Sequence, residues 1–212
     1  MNRTNIQKIL FLLKKKYKKK KRTTLLYSSA FECLISVILS AQSQDIIVNK
    51  STKNLFLVAN NPKKMILLGE KKIRYYIKNI GLYKKKAKNI FQTCILLLNT
   101  YKGLVPSSRK ELEKLPGVGR KTSNVVLNLI FNKKTIAVDT HVFRICNRLG
   151  LAIGNTPIKV ESILLKIIPN NMKLYIHSWL LFHGRNVCQA KNIQCNICIL
   201  YKLCKYNNKL KF

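Results

Sequence analysis

Acidic residues are scarce in this chain. Its 212 residues hold 7 Asp and Glu against 41 Lys and Arg, a formal net charge of +34. Such a field favours a polyanionic partner, with nucleic acid first and an anionic membrane surface second. A coding bias toward Lys, Asn and Ile contributes part of the excess. The shortage also makes each carboxylate a better candidate for a specific role. The seven are Glu32, Asp45, Glu70, Glu111, Glu113, Asp139 and Glu161.

Long apolar runs are missing too. None reaches the roughly 18 residues that span a bilayer, and the longest, around residues 31–41, suits a buried helix. The apolar start at residues 9–13 is too short for a signal peptide, and lysines follow it rather than a cleavage site. The expectation is a soluble, cytoplasmic protein with no membrane partner. Strand-like alternation is absent, so an all-α fold is expected. Seven cysteines, an odd number, argue against a purely disulfide framework. What is present suffices for a core: 47% of residues are hydrophobic, and the length suits one large or two small domains.

Helical periodicity and end signals divide the chain into segments. A short amphipathic start at 5–13 leads into a basic run at 14–22, read as a solvated arm or helix face. Helices are expected at 28–40, 46–59, 62–68, 71–79 and 84–101, with Asp45 capping the second and Gly69 ending the third. Ser108 and Glu111 form a capping-box pattern for a helix at 109–115. Further helices are expected at 120–131, 140–149, 156–168 and 173–184, before a loop-like, cysteine-rich tail.

The string LPGVGRKT at 115–122 joins two of these helices through a tight corner. Gly117 and Gly119 allow positive φ and close backbone approach. Backbone N–H groups at the start of a helix make an anion site, and a DNA phosphate is the natural ligand. The spacing is not that of a nucleotide P-loop. Lys121 stands in the first turn of the second helix. Only about one lysine in a thousand is neutral at pH 7.5. Burial, a helix N-terminus and a neighbouring cation such as Arg120 all disfavour the charged form and would activate the amine as a nucleophile. Asp139 lies within reach. The helix from Lys121 to Phe131 is about 16 Å long, and the residues up to Val138 can span roughly 23 Å on the way back. Asp139 also has the position of a helix cap and can serve in both roles.

Cys188, Cys195, Cys198 and Cys204 follow the spacing C-x6-C-x2-C-x5-C. Four thiolates in one short segment imply a metal centre, and spacing alone allows either tetrahedral zinc or a [4Fe–4S] cluster. Cys33, Cys94 and Cys146 lie in apolar helical runs and read as core.

Together LPGVGRKT, VDTH at 138–141, LISVILSAQ at 34–42 and the cysteine tail resemble bacterial endonuclease III, a DNA glycosylase and AP lyase of the helix-hairpin-helix superfamily. The resemblance covers nearly the whole chain. It implies a [4Fe–4S] cluster at the four cysteines and two helical domains flanking a DNA-binding cleft. One is a six-helix barrel domain at 23–133, with the hairpin at about 108–127. The other joins 1–22 to 134–212 and carries the cluster loop at 188–204. The resemblance makes Lys121 the nucleophile and Asp139 the assisting carboxylate. It makes Gln42 the residue that fills the gap left by an extruded base, and Leu82 in IGLY the wedge opposite. Gly117, Val118, Gly119 and Arg120 would grip DNA, His141 would line the pocket, and Lys191 and Lys202 near the cluster would touch phosphates.

The implied activity is removal of oxidised pyrimidines from duplex DNA and cleavage 3′ to the abasic site, by a monomer. Gln44 departs from the family, which often has threonine before the aspartate that follows SAQ, and the lysine arm is unusually basic. Two alternatives compete with this activity. An adenine-type glycosylase usually lacks the lysine at 121 and carries a further C-terminal domain, whereas eight residues follow Cys204 here. A non-catalytic helix-hairpin-helix module explains the charge and the hairpin, but not Asp139 together with four cysteines.

Overall fold

The computed structural model describes residues 1–206. Ten α-helices and two short 3-10 turns make up its regular structure, and no strand occurs among the described residues. No helix among them is long and apolar enough to cross a membrane. The chain divides into two compact units. One is Thr24–Lys133. The other joins Met1–Thr23 to the chain from Lys134 onward.

The continuous unit holds α2 (Ala30–Ser40), α3 (Asp45–Val58), α4 (Pro62–Tyr76), α5 (Tyr83–Tyr101), α6 (Arg109–Leu112) and α7 (Arg120–Phe131). Helix α2 is apolar on every side. Every residue from Phe31 to Leu39 is buried, as a helix enclosed by others requires. It packs on α3, α5 and α7, while α4 packs on α3 and α5. Ser29 begins α2 by accepting the Glu32 N–H at 3.1 Å, and Glu32 turns back to accept the Ser28 N–H at 2.6 Å. Two separate helices expected around Gly69 form α4, which breaks at Gly69 (φ 79°, ψ 155°). Asp45 is not a cap. Gln44 occupies that position without a side-chain bond, and Asp45 accepts the Thr24 hydroxyl instead. Helix α6 stops at Leu112, three residues short of the expected end, because the chain turns through Leu112–Leu115 N–H···O bonding into the corner.

The discontinuous unit holds α1 (Arg3–Tyr17), α8 (Thr140–Leu149), α9 (Pro157–Ile167) and α10 (Lys173–Asn186). Helix α10 packs on α1 and α8. Helix α1 extends further into the lysine run than its apolar start suggested. Ile9, Leu13 and Tyr17 recur every fourth residue and are all buried, so the stripe outlasts the apolar stretch and carries Lys14, Lys15 and Lys16 into the helix. Gly150 ends α8 with φ 71°.

Leu34 is fully buried at the centre of α2, while Leu57 on α3 is 79% exposed. Leu34→Ala should cost about 3 kcal/mol of unfolding free energy in denaturant titration. Leu57→Ala should change it by less than about 0.5 kcal/mol.

Candidate active site and cysteine centre

The corner between α6 and α7 starts α7 without a capping side chain. Ser108 caps α6 by accepting the Glu111 N–H at 3.2 Å. The corner closes with the Val118 N–H donating to the Leu115 carbonyl at 3.0 Å. The Thr93 hydroxyl of α5 donates to the Pro116 carbonyl at 3.0 Å and fixes the corner from beneath. Gly117 has φ 81°, and a Cβ there would lie 2.9 Å from Asn89 Nδ2. Gly119 is the N-cap of α7 and brings no capping side chain, and a Cβ there would meet nothing within 4 Å. A helix start with no capping side chain is the kind of end at which helices take anions. Val118, an expected DNA contact, is buried and its N–H is taken by the Leu115 carbonyl. Arg120 and Lys121 are exposed. The expected burial of Lys121 is not observed in this structure.

Two further loops of the same unit hold residues in the left-handed backbone region. Gln42 has φ 54° and Leu82 has φ 58°, unusual for residues with side chains. Leu82 is the N-cap of α5 and 61% exposed, and Gln42 is exposed beyond the end of α2. The two loops abut. A Cβ on Gly81 would lie 3.6 Å from the Gln42 carbonyl oxygen and 3.9 Å from Ser43 Oγ.

In the other unit Asp139 is the N-cap of α8, and its Oδ1 accepts the Val142 N–H at 2.8 Å. Its approach is fixed by His177, whose Nδ1–H donates to the Ala137 carbonyl at 2.8 Å. His141 is the second residue of α8, with Nδ1 3.2 Å from the Arg144 guanidinium. Burial pushes the His141 pKa down, the Asp139 charge partly opposes this, and Arg144 and Arg185 add to it. His141 therefore favours its neutral form.

Cys188, Cys195, Cys198 and Cys204 rim one pocket together with Arg148, Val187, Ile193 and Tyr201. Two 3-10 turns, Cys195–Ile197 and Tyr201–Leu203, each deliver a cysteine at their C-terminal end, so the tail is more ordered than a plain loop. All four are free thiols. Burial pushes the Cys198 thiol up, and charge on the other three adds to this, as expected of sulfurs gathered together. Among the described residues no three His, Cys, Asp or Glu side chains converge on a single-ion position. The sulfurs ring a pocket instead.

Two arginines brace the rim, and the sequence did not single them out. Arg144 donates to the Gly184 carbonyl at 3.0 Å and the Cys188 carbonyl at 2.9 Å. Arg148 donates to the Gln189 and Ala190 carbonyls at 2.6 and 3.1 Å, 3.6 Å from Cys188 Sγ. Their i,i+4 spacing on α8 was the available signal. Buried His183 was also missed. Its Nε2 lies 3.4 Å from Cys198 Sγ and its Nδ1 3.0 Å from the Tyr17 hydroxyl. Lys191 and Lys202 are exposed on the same segment. Cys33, Cys94 and Cys146 are fully buried core residues.

The corner yields a paired prediction. Gly117→Ala, at a positive φ, should lose about 1–2 kcal/mol of stability in denaturant unfolding. Gly119→Ala should lose less than about 1 kcal/mol, while its added methyl blocks phosphate approach and lowers duplex affinity about tenfold. Full DNA affinity in a folded Gly119→Ala protein would contradict the anion-site reading.

Comparison with known proteins fits this geometry. Residues 35–170 match the model of the HhH-GPD superfamily base excision DNA repair proteins. Endonuclease III of Buchnera aphidicola subsp. Acyrthosiphon pisum (strain APS) is 55% identical over 186 residues, covering 88% of this chain and 89% of that one. Endonuclease III of Escherichia coli (strain K12) is 52% identical over 184 residues, 87% of each chain. Among solved structures, a trapped endonuclease III–DNA covalent intermediate superimposes with a TM-score of 0.92 at 41% identity, covering 97% of this chain and 96% of that one. A thermostable thymine-DNA glycosylase shares the fold at 22% identity, with a TM-score of 0.86 and 96% of each chain covered. The chain belongs to the endonuclease III family of the HhH-GPD superfamily of base excision DNA repair proteins.

Proposed function

We propose that this protein is a bifunctional DNA N-glycosylase and AP lyase that removes oxidised pyrimidines from duplex DNA. The observation that carries the reading is Lys121, exposed as the second residue of α7 directly after an uncapped glycine corner. That position pairs a phosphate grip with a nucleophilic amine. The relative solved as a trapped covalent intermediate with DNA supports the same chemistry here.

In this mechanism the glycine corner and Arg120 hold a phosphate beside the lesion, and the damaged base leaves the stack. Unstacking costs a few kcal/mol, and less for a damaged base. Gln42 and Leu82 enter the vacated space from their abutting loops. The neutral amine of Lys121 attacks the sugar C1′, the C1′–N bond breaks, and the base departs with the bonding electrons. Asp139, which the kinship with endonuclease III makes the assisting carboxylate, stabilises positive charge on the opening sugar or takes a proton from the amine. The resulting Schiff base loses a C2′ proton, the 3′ phosphate leaves by β-elimination, and water releases Lys121. His141, held neutral, lines the pocket.

Cys188, Cys195, Cys198 and Cys204 would hold a [4Fe–4S] cluster. The four cysteines line one pocket, a donor set that suits such a group, and the kinship with endonuclease III favours the cluster over a single tetrahedral zinc. When bound, the cluster supplies a rigid cross-link for the segment that presents Lys191 and Lys202 to phosphates. We place the protein at the bacterial chromosome in the cytoplasm, acting as a monomer.

Lys121→Gln should abolish incision of abasic and thymine-glycol duplexes with Tm unchanged, because the side chain is exposed; retained incision would defeat the assignment. Asp139→Asn separates charge from capping, since Asn caps a helix as well as Asp does. Base excision should fall at least about a hundredfold with Tm and duplex affinity retained, and an unchanged excision rate would make Asp139 a structural cap alone. Metal and sulfide analysis should find about four iron and four sulfide per chain, lost in Cys198→Ser. Zinc without sulfide would contradict the cluster.

A further inference from the structure

Lys86, on α5, is only 6% exposed although it is a lysine. Its ammonium donates to the Leu39 carbonyl at 2.9 Å, the Ala41 carbonyl at 2.6 Å and Ser43 Oγ at 3.0 Å. All three donors of the ammonium are used, and none of the partners is a carboxylate. Burial pushes the Lys86 pKa below the ordinary lysine value, which makes the arrangement costly unless the acceptors favour the cation. They do. Leu39 and Ala41 lie at the C-terminal end of α2, where carbonyls lack intrahelical partners and the helix dipole is negative.

The position of these contacts matters more than their number. Ala41 and Ser43 flank Gln42, so the ammonium holds the residues on both sides of the left-handed position. The backbone of Lys86 reaches the other loop, its N–H donating to the Leu82 carbonyl at 3.0 Å. One residue thus ties the Gln42 segment by its side chain and the Leu82 segment by its main chain.

We propose that Lys86 is a positioning residue for lesion recognition, a strut that holds the Ala41–Gln42–Ser43 segment in its left-handed turn and sets its register against Leu82. It touches no DNA and acts through Gln42. A left-handed non-glycine residue relaxes readily when nothing holds it. Bound to Lys86 it does not, and Gln42 meets a vacated base position without first being ordered. The inference rests on the proposed gap-filling role of Gln42.

The test compares binding of the full-length protein to two duplexes, one undamaged and one bearing a tetrahydrofuran abasic analogue that the enzyme cannot cleave. The ratio of the two affinities reads lesion recognition, and a purely structural defect does not move it. Lys86→Met keeps the aliphatic volume and removes the donors. It should lower the ratio about tenfold with undamaged-duplex affinity kept within about twofold, the equivalent of losing a charge-assisted bond set. A folded Lys86→Met protein with the wild-type ratio overturns the proposal. Should Lys86→Met fail to fold, Ser43→Ala carries the test, with a fall of about threefold expected from one lost partner; an unchanged ratio overturns the strut. In a Gln42→Ala background Lys86→Met should add less than about twofold, because both act on one step; a full additive loss would place Lys86 elsewhere and also overturns it. The underlying reading fails separately. A Gln42→Ala protein with the wild-type ratio removes the gap-filling role, and the strut with it. A reduced ratio in Gln42→Ala but not in Lys86→Met removes the strut alone.

Discussion

The structure depends on cations that bond to backbone carbonyl oxygens. Lys86 donates to the end of α2, Lys133 to the Ser107 carbonyl, Arg144 to the Gly184 and Cys188 carbonyls, and Arg148 to Gln189 and Ala190. A chain with 7 acids for 41 basic residues must do this somewhere. Its carboxylates are already committed. Glu32 and Asp139 close helix starts, Glu111 accepts from Tyr101 and Lys114, Glu113 accepts from Ser123, and Glu70 pairs with Arg74. A carbonyl satisfies a cation's hydrogen bonds without neutralising it. Each such contact organises a loop and leaves the net positive charge in place.

Fold and function meet in that arrangement. The segments held by cations are the ones that carry proposed function: the Gln42 turn by Lys86, and the cysteine rim by Arg144 and Arg148. The hairpin uses the opposite device. It has no capping side chain at Gly119, which suits the proposed grip on a phosphate, and the surface charge favours a polyanion there. The dominant partner is set by both features together, since a polyanion neutralises what the protein's own acids cannot.

Much of this was legible in the sequence. The all-α fold, the helix-hairpin-helix corner and the kinship with endonuclease III followed from helical spacing and a few specific strings. Helix starts with a strong side-chain cap, at Ser29, Asn61, Ser108 and Asp139, lie close to their expected positions, because the cap residue states its role locally. Ends governed by packing did not. Helix α1 ran on through Lys16 because Tyr17 finds a buried place against His183, 166 residues away in sequence. Asp45 looked like a cap and bonds Thr24 instead. Lys86 was invisible among so many lysines, since nothing local distinguishes a buried one from its exposed neighbours Lys84 and Lys85. The expected burial of Lys121 failed because the first two residues of α7, beside the glycine corner, are exposed.

The central claim is that Lys121 is the amine that bonds to DNA. Borohydride reduction during turnover on a thymine-glycol duplex, followed by proteolysis and mass spectrometry of the crosslinked peptide, tests it directly. The account predicts one sugar-derived adduct, carried on Lys121. An adduct on a lysine of the N-terminal basic run, or no adduct from a protein that still releases the damaged base, would contradict it.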